Sequence, residues 1–301
     1  MTPRRLVVRA HAKVNLDLRV LGLRPDGFHE LRTVFQTIEL HDTLTVVHRP
    51  GPFLLECRTS GVPLDDSNLV WKAAAALWHA LGRSGDPCDT CVTIEKGIPM
   101  EAGLGGGSAD AAATLQALAR LWGGAPVTLL REVAGGIGAD VAFFLSGGTA
   151  LGLGRGEEIY PLVDLPPLSI VIARPPFGVS TAEAYGWYDE DRAAGLKDPR
   201  ELQILPVPWP TRAAQMINDL EPPVVRRHPE ILPLKSALRE AGALASAMSG
   251  SGSAVFGLFR SRAAAARVVK PLSRGGVTAF LTRTFTRAEY ERRSRPVAKR
   301  P

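Results

Sequence analysis

Residues Pro99-Met-Glu-Ala-Gly-Leu-Gly-Gly-Gly-Ser-Ala-Asp110 place four glycines within five positions, 103 to 107, directly ahead of the alanine- and leucine-rich run Ala111 to Trp122. With so little side chain in the way, successive backbone N–H groups can converge on one anion at the start of a helix. The run that follows carries Ala111, Leu115, Leu118 and Trp122 on one face, so packing can hold its positive end still beneath the loop. Ser108 is the expected N-cap. The common phosphate loops do not fit. No Gly-Lys dipeptide follows for a Walker loop, and Ser108 stands where a dinucleotide fingerprint needs its third glycine.

Working outward, Cys91 to Lys96 reads as the strand delivering the chain into this loop, and Asp65-Asp-Ser-Asn68 as a cap for a helix over Leu69 to Leu81. Leu6 to Leu21 reads as a strand with Val14, Leu16, Leu18 and Val20 on one side and Lys13, Asn15 and Asp17 on the other. The turn Arg24-Pro-Asp-Gly27 follows, its proline presetting φ and its glycine supplying positive φ, and it presents Phe28 and His29. Leu31 to Leu40 and then Thr43 to His48 return as antiparallel strand.

A second glycine-rich turn, Gly135 to Phe144, holds the single carboxylate Asp140 among apolar residues. Prolines at 161, 166, 167, 175 and 176 mark a change of territory. Beyond it come a strand at Leu168 to Ala173, the aromatic cluster Tyr185 to Tyr188 and a loop from Ala193 to Pro210. Helices at Thr211 to Leu220 and Leu232 to Ala241 are expected next. A third glycine loop, Ser249-Gly-Ser-Gly-Ser253, runs into a strand, and a helix and strand finish the pattern at Ala263 to Leu272 and Val277 to Phe285.

Composition narrows the class. The chain has 301 residues and an apolar share of 45%, enough for one large or two ordinary domains with a real core. No apolar run reaches the length of a membrane span and the N-terminus lacks a signal-peptide segment, so a cytoplasmic protein with no membrane partner is expected. Cys57, Cys88 and Cys91 make no disulfide framework and read as free thiols. Of the net charge of +6, +4 lies between Arg287 and Pro301, so the body is nearly balanced; the tail reads as a solvated, frayed end and no nucleic-acid partner is expected.

Together, Pro99 to Ala113, Lys13-Val-Asn15, Gly138-Ala-Asp140-Val and Ser249 to Ser253 resemble, in order, the motifs of the GHMP kinases. With Arg24-Pro-Asp-Gly-Phe-His29 they are similar to the branch whose substrate is a methylerythritol carrying a cytidine diphosphate group. The resemblance runs from about Ala10 to about Phe259.

It implies an α+β, two-domain fold: a nucleotide-binding N-terminal domain over residues 1–160 resembling domain 2 of ribosomal protein S5, and a ferredoxin-like, substrate-binding C-terminal domain over 161–301. The implied reaction is ATP-dependent phosphorylation of the substrate's 2-hydroxyl, in the non-mevalonate route to isoprenoid precursors. Pro99, Met100, Glu101, Ala102, Gly103, Leu104, Gly105, Gly106, Gly107, Ser108 and Ala109 would surround the ATP phosphates, with Asn68 and Lys96 on the adenine and ribose side. Mg²⁺ is the implied cofactor and the Ser108 hydroxyl a candidate contact for it. Asp140 matches the catalytic base and Lys13 the lysine that orients it. Phe28 and Tyr185 match the aromatic pair that sandwiches cytosine, with Phe28 where tyrosine is more frequent, and His29 matches the residue reading the base edge. Asn15, Thr33 and Thr181 are further substrate-pocket carry-overs. The expected assembly is a monomer or homodimer. Two alternatives remain open at this point: a small-alcohol GHMP kinase, which would need no aromatic clamp, and a nucleic-acid-binding protein on the S5-like fold, which would need no carboxylate at 140.

Overall fold

Two long strands, β1 (Arg5–Leu23) and β2 (His29–Pro52), form an antiparallel hairpin on which the rest of the molecule is built. The computed structural model describes residues 5–196 and 216–299. Around the hairpin a seven-stranded sheet adds β3 (Leu54–Cys57), β4 (Cys88–Glu95), β5 (Thr149–Leu153), β6 (Glu158–Pro161) and β11 (Val297–Ala298). The main path runs β11-β1-β2-β4-β3, with β5 paired to the lower half of β2 and β6 to β5. Helices α1 (Leu69–Ala80), α2 (Gly106–Leu121) and α3 (Val127–Ile137) cover it. The second sheet is antiparallel: β7 (Ser169–Arg174), β8 (Ala245–Met248), β9 (Val255–Phe259) and β10 (Thr278–Arg283) in the order β10-β7-β9-β8. Helices α4 (Thr181–Ala193), α5 (Glu221–Arg227) and α6 (Ile231–Glu240) lie between β7 and β8, and α7 (Arg262–Leu272) between β9 and β10. That connectivity is the split βαβ arrangement, a ferredoxin-like unit.

The alternating apolar series of β1 feeds three cores in turn. Leu6, Val8 and Ala10 pack with α2; Ala12, Val14 and Leu16 meet Ile170, Ile172, Phe256 and Leu258 of the second sheet; Leu18 and Val20 join the helical core around Tyr188, Leu220 and Val224. The β1–β2 register slips between His11 and Lys13 and again between Asn15 and Asp17. Such irregularities bend a strand and re-aim its side chains. They leave Lys13 and Asn15 together, while the Asp17 carboxylate turns away to Arg32 at 3.4 Å; the face expected to hold all three is broken after Asn15.

Several local expectations change. The helix after the glycine loop begins at Gly106, so Ser108 is not its N-cap: Gly105, at φ 71°, takes that position without a side-chain bond. A left-handed residue there suits glycine and reverses the chain one turn earlier than serine capping would. The strand expected in two pieces after Leu31 is continuous as β2. The helix proposed over Thr211 to Leu220 lies outside the described residues up to position 215, and residues 216–220 form a bridge and turn before α5. Helix α4 carries a Ser180/Glu183 capping box, a sequence signal that the expected loop and cluster overlooked. The basic C-terminus is not frayed as far as Lys299. Helix α8 (Arg287–Ser294) packs on β1, and β11 pairs Val297 with Val7 and Ala298 with Leu6 at the sheet edge. The tail is held because its Val297-Ala298 offers backbone partners to an otherwise open edge.

Candidate active site

The delivering strand β4 ends at Glu95, and Lys96 turns its ammonium between the buried carboxylates of Asp42 and Asp110, 3.0 Å from the latter. Asp42 also accepts the Gly97 and Ile98 amides at 2.6 and 2.8 Å. Burial works against the Lys96 charge, but the two carboxylates outweigh it and hold the ammonium above its ordinary pKa; burial pushes Asp110 upward. The trio pins the start of α2 to the sheet, for a methyl group on Gly106 would lie 3.3 Å from Lys96 Nζ and 3.2 Å from the Ile98 side chain. Gly106 is helical; the left-handed glycines of this loop are 103 and 105.

The amides of Gly106, Gly107 and Ser108 fall in the first turn of α2, where a helix supplies no internal acceptor. Gly107 is exposed, with Leu69 of α1 the nearest side chain, 3.7 Å from where its Cβ would stand. Ala102 and Leu104 turn their side chains into the core between the sheets, so only their backbone faces the site. Asn68 caps α1: its Oδ1 accepts the Val70 amide at 2.9 Å and its Nδ2 donates to the Pro63 carbonyl at 2.7 Å.

The third glycine loop braces the first. The Ser249 hydroxyl donates to the Gly103 carbonyl at 2.9 Å, the Glu101 carbonyl accepts the Ser253 and Val179 amides, and the Ala102 carbonyl accepts the Ala254 amide. A side chain on Gly103 would collide with the Ser249 carbonyl.

Lys13 stands where these loops meet. Its amide donates to the Leu104 carbonyl at 3.0 Å, and its ammonium lies 3.2 Å from Asp140 Oδ2, donates to Asn15 Oδ1 at 2.6 Å and sits 5.6 Å from the centre of the Phe35 ring. Asn15 Nδ2 in turn donates to Thr33 Oγ1 at 2.7 Å, and Thr33 donates to the Asp17 carbonyl at 2.7 Å. Lys13 is 4% exposed and the Asp140 side chain 27%, so the carboxylate opens outward while the ammonium stays inside. Asp140 lies two residues beyond Gly138, the C-cap of α3, and its charge partner comes from β1 rather than from a helix end.

The aromatic residues are arranged differently. Tyr185 of α4 is stacked on His29, with ring centres 4.8 Å apart, and His29 Nε2 bonds Asp189 Oδ1 at 2.8 Å. Burial first, and the nearby Asp140 carboxylate second, raise the Tyr185 phenol above its ordinary pKa. Phe28 is 54% exposed and has the Arg155 guanidinium 5.0 Å from its ring centre. Thr181 opens the first turn of α4, one helical turn before Tyr185. His29 thus covers one face of the Tyr185 ring. Asp189 and Arg155 were missed in the sequence; helical spacing from Tyr185 pointed to the former, and nothing local to the latter.

Among the described residues no group of three or more His, Cys, Asp or Glu could hold a metal, the three cysteines are free, and no helix is long and apolar enough to cross a membrane.

The chain matches the model of the GHMP kinases N terminal domain over residues 68–148 and that of the GHMP kinases C terminal over 210–278. It is 43% identical to a 4-diphosphocytidyl-2-C-methyl-D-erythritol kinase of Solibacter usitatus over 96% of this chain and 92% of that one. It is 44% identical to the enzyme of that name from Pelotomaculum thermopropionicum over 92% and 96% of the two chains. A crystal structure of 4-(cytidine 5'-diphospho)-2C-methyl-D-erythritol kinase superposes with a TM-score of 0.73 at 34% identity, covering 92% of this chain and 98% of that one. A homoserine kinase from Cytophaga hutchinsonii, 20% identical, shares the fold with a TM-score of 0.68 over 95% and 96% of the chains.

Proposed function

We infer that this chain, which belongs to the 4-diphosphocytidyl-2-C-methyl-D-erythritol kinases of the GHMP kinase family, phosphorylates the 2-hydroxyl of that cytidine diphosphate substrate with ATP, in the non-mevalonate supply of isoprenoid precursors. The observation that carries the reading into chemistry is the buried ammonium of Lys13 beside a half-open carboxylate, at the junction of all three glycine loops.

Phosphoryl transfer asks the protein for alignment and for charge at the transferring group more than for covalent participation. Asp140 accepts the proton of the 2-hydroxyl as its oxygen forms the new bond to phosphorus; the bond to the β-phosphate oxygen breaks and ADP leaves with that electron pair. Lys13, fixed from the other side by Asn15, keeps Asp140 aimed and sets a positive charge near the transferring group. The free amides of Gly106, Gly107 and Ser108 receive the phosphates at the positive end of α2. Lys96 and Asn68 flank the same helix start, which supports their place on the nucleoside side, although both side chains also carry structural bonds. Mg²⁺ is a hard cation that keeps several waters and takes few protein ligands beside substrate phosphates, and the half-buried Ser108 in the first turn of α2 is the hydroxyl that would meet it there. When bound it would neutralise phosphate charge.

We assign residues 1–160 to nucleotide binding and 161–301 to substrate binding, with α8 and β11 at the end of the second stretch returning to the first sheet. The base would then lie between them, taking Phe28 and His29 from one and Tyr185 and Thr181 from the other, with Asn15 and Thr33 lining the floor. The three free thiols support a reduced, cytoplasmic setting.

Coupled ADP release with ATP, Mg²⁺ and a panel of alcohols tests the reading. Turnover is expected with the cytidine diphosphate substrate and not with mevalonate or homoserine. Asp140→Asn should keep ATP binding and lose about 10²-fold or more in kcat, the lower range for general-base catalysis. Wild-type kcat in that variant would remove the assignment.

A further inference from the structure

Asn218 is 4% exposed, and its amide is fully used. Nδ2 donates to the Met248 carbonyl at 2.9 Å and to the Gly250 carbonyl at 2.7 Å, while Oδ1 accepts the Leu220 amide at 3.0 Å. Its backbone runs parallel to Leu18 of β1: the Leu18 amide donates to Ile217 and the Asp219 amide to Leu18. Asp219 accepts the Val20 amide and Arg19, and Glu221 accepts the Met248 amide at 2.8 Å. This short segment therefore ties the strand that bears Lys13 and Asn15 to the third glycine loop.

What the loop does at its other side gives the tie its importance. Gly250 has φ 53°, and a methyl group there would stand 3.1 Å from Asn15 Oδ1 and from the Gly103 carbonyl and 3.3 Å from Lys13 Nζ. The backbone of Gly250 is thus packed onto the ammonium that pairs with Asp140. Its carbonyl is an acceptor that would compete for that ammonium if the peptide turned. Asn218 takes this carbonyl and keeps it turned away.

We propose that Asn218 is a positioning residue for phosphoryl transfer: its two N–H donors fix the third glycine loop so that Lys13 keeps its bonds to Asp140 and Asn15. The proposal rests on the assignment of Lys13 and Asp140 made above.

The test is Asn218→Asp, near in shape but without the two donors. The introduced carboxyl would face two carbonyl oxygens in a buried place, which raises its pKa, and only its protonated form can restore one bond. The other charged groups nearby are Asp219 with Arg19, Asp17, Glu221 with Lys235, and Lys13 with Asp140; the wild type shares them, so the ratio of variant to wild-type kcat removes their titration. At about pH 8 the variant should lose about tenfold or more in kcat with the ATP KM within about threefold, as displacement of a catalytic group does. The ratio should climb about threefold or more as pH falls to about 6. A ratio of one at every pH, or a pH-independent loss with KM rising in step, overturns the proposal. If near-ultraviolet circular dichroism shows the variant unfolded, Asn218→Ser, uncharged and with one donor, takes its place: a loss confined to kcat supports the proposal and unchanged kcat overturns it. Asp140→Asn and Lys13→Met are assayed alongside. Wild-type turnover in those two removes the assignment of the centre itself, whereas their loss beside an unaffected Asn218→Asp removes only the clamp.

Discussion

The phosphate end and the base end of the proposed site are built in opposite ways. At the phosphate end the glycine loop is bonded to Lys13, to Ser249 and to Ser253, and Lys96 is sealed under it by two carboxylates. At the base end Phe28 is mostly exposed on a turn, and His29 lies on the Tyr185 ring with Asp189 at the protein surface. The difference follows from what each end must do. Charge stabilisation works only through dipoles already in place, since reorganising them costs what they would contribute. A stacked base is bound through area and can be received by side chains that move. His29 already covers one face of the Tyr185 ring, so a base received there meets the other face or displaces the imidazole.

Lys96→Met would break the braced end outright. It leaves Asp42 and Asp110 buried without their cation, and loss of one partner from a buried ionic group costs about 3–5 kcal/mol. Urea unfolding should register that loss, and an unchanged midpoint would show that the trio does not brace the loop. Next in size, Lys13→Met should lower kcat by about 10²-fold with little change in either KM, because its charge matters most during transfer. A change confined to KM would move Lys13 to the binding side of the comparison.

The open end should respond in the other parameter. Phe28→Ala and Tyr185→Ala should each remove about 1–3 kcal/mol of stacking. That raises the substrate KM by about 5- to 150-fold with the ATP KM unchanged. Equal KM values in both folded variants would leave the base end without a role in recognition. His29→Ala should blur the choice between cytidine and uridine forms of the substrate, measured as the ratio of kcat/KM.

The smallest effect belongs to a region outside both ends. Removal of Pro296 to Pro301 deletes the β11 pairing, the Arg120 bond to the Pro296 carbonyl at 2.6 Å and the Lys299 amide bond to Arg5. At roughly 0.5–1.5 kcal/mol for a typical net hydrogen bond, a loss of about 1–2 kcal/mol in stability is expected. The rate parameters should hold. A fall in kcat in the folded truncation would join the edge strand to the braced end.

Local patterns made much of this legible. The glycine spacing placed the start of α2 within three residues of where it lies, Asn68 caps α1 as its side chain predicts, and the alternation in β1 kept Lys13 beside Asn15. Each of these depends on residues a few positions apart, whose dihedral preferences and periodicity are written into the chain itself. Tertiary structure alone decided the rest: that Asp140 meets Lys13, that Ser249 reaches Gly103, that Asn218 runs along Leu18, that His29 lies on Tyr185, and that the basic tail closes a sheet edge. These contacts join residues more than a hundred positions apart. A single sequence carries no periodic or capping signal for such pairs, because they exist only once separate elements have packed and their backbone groups have found partners.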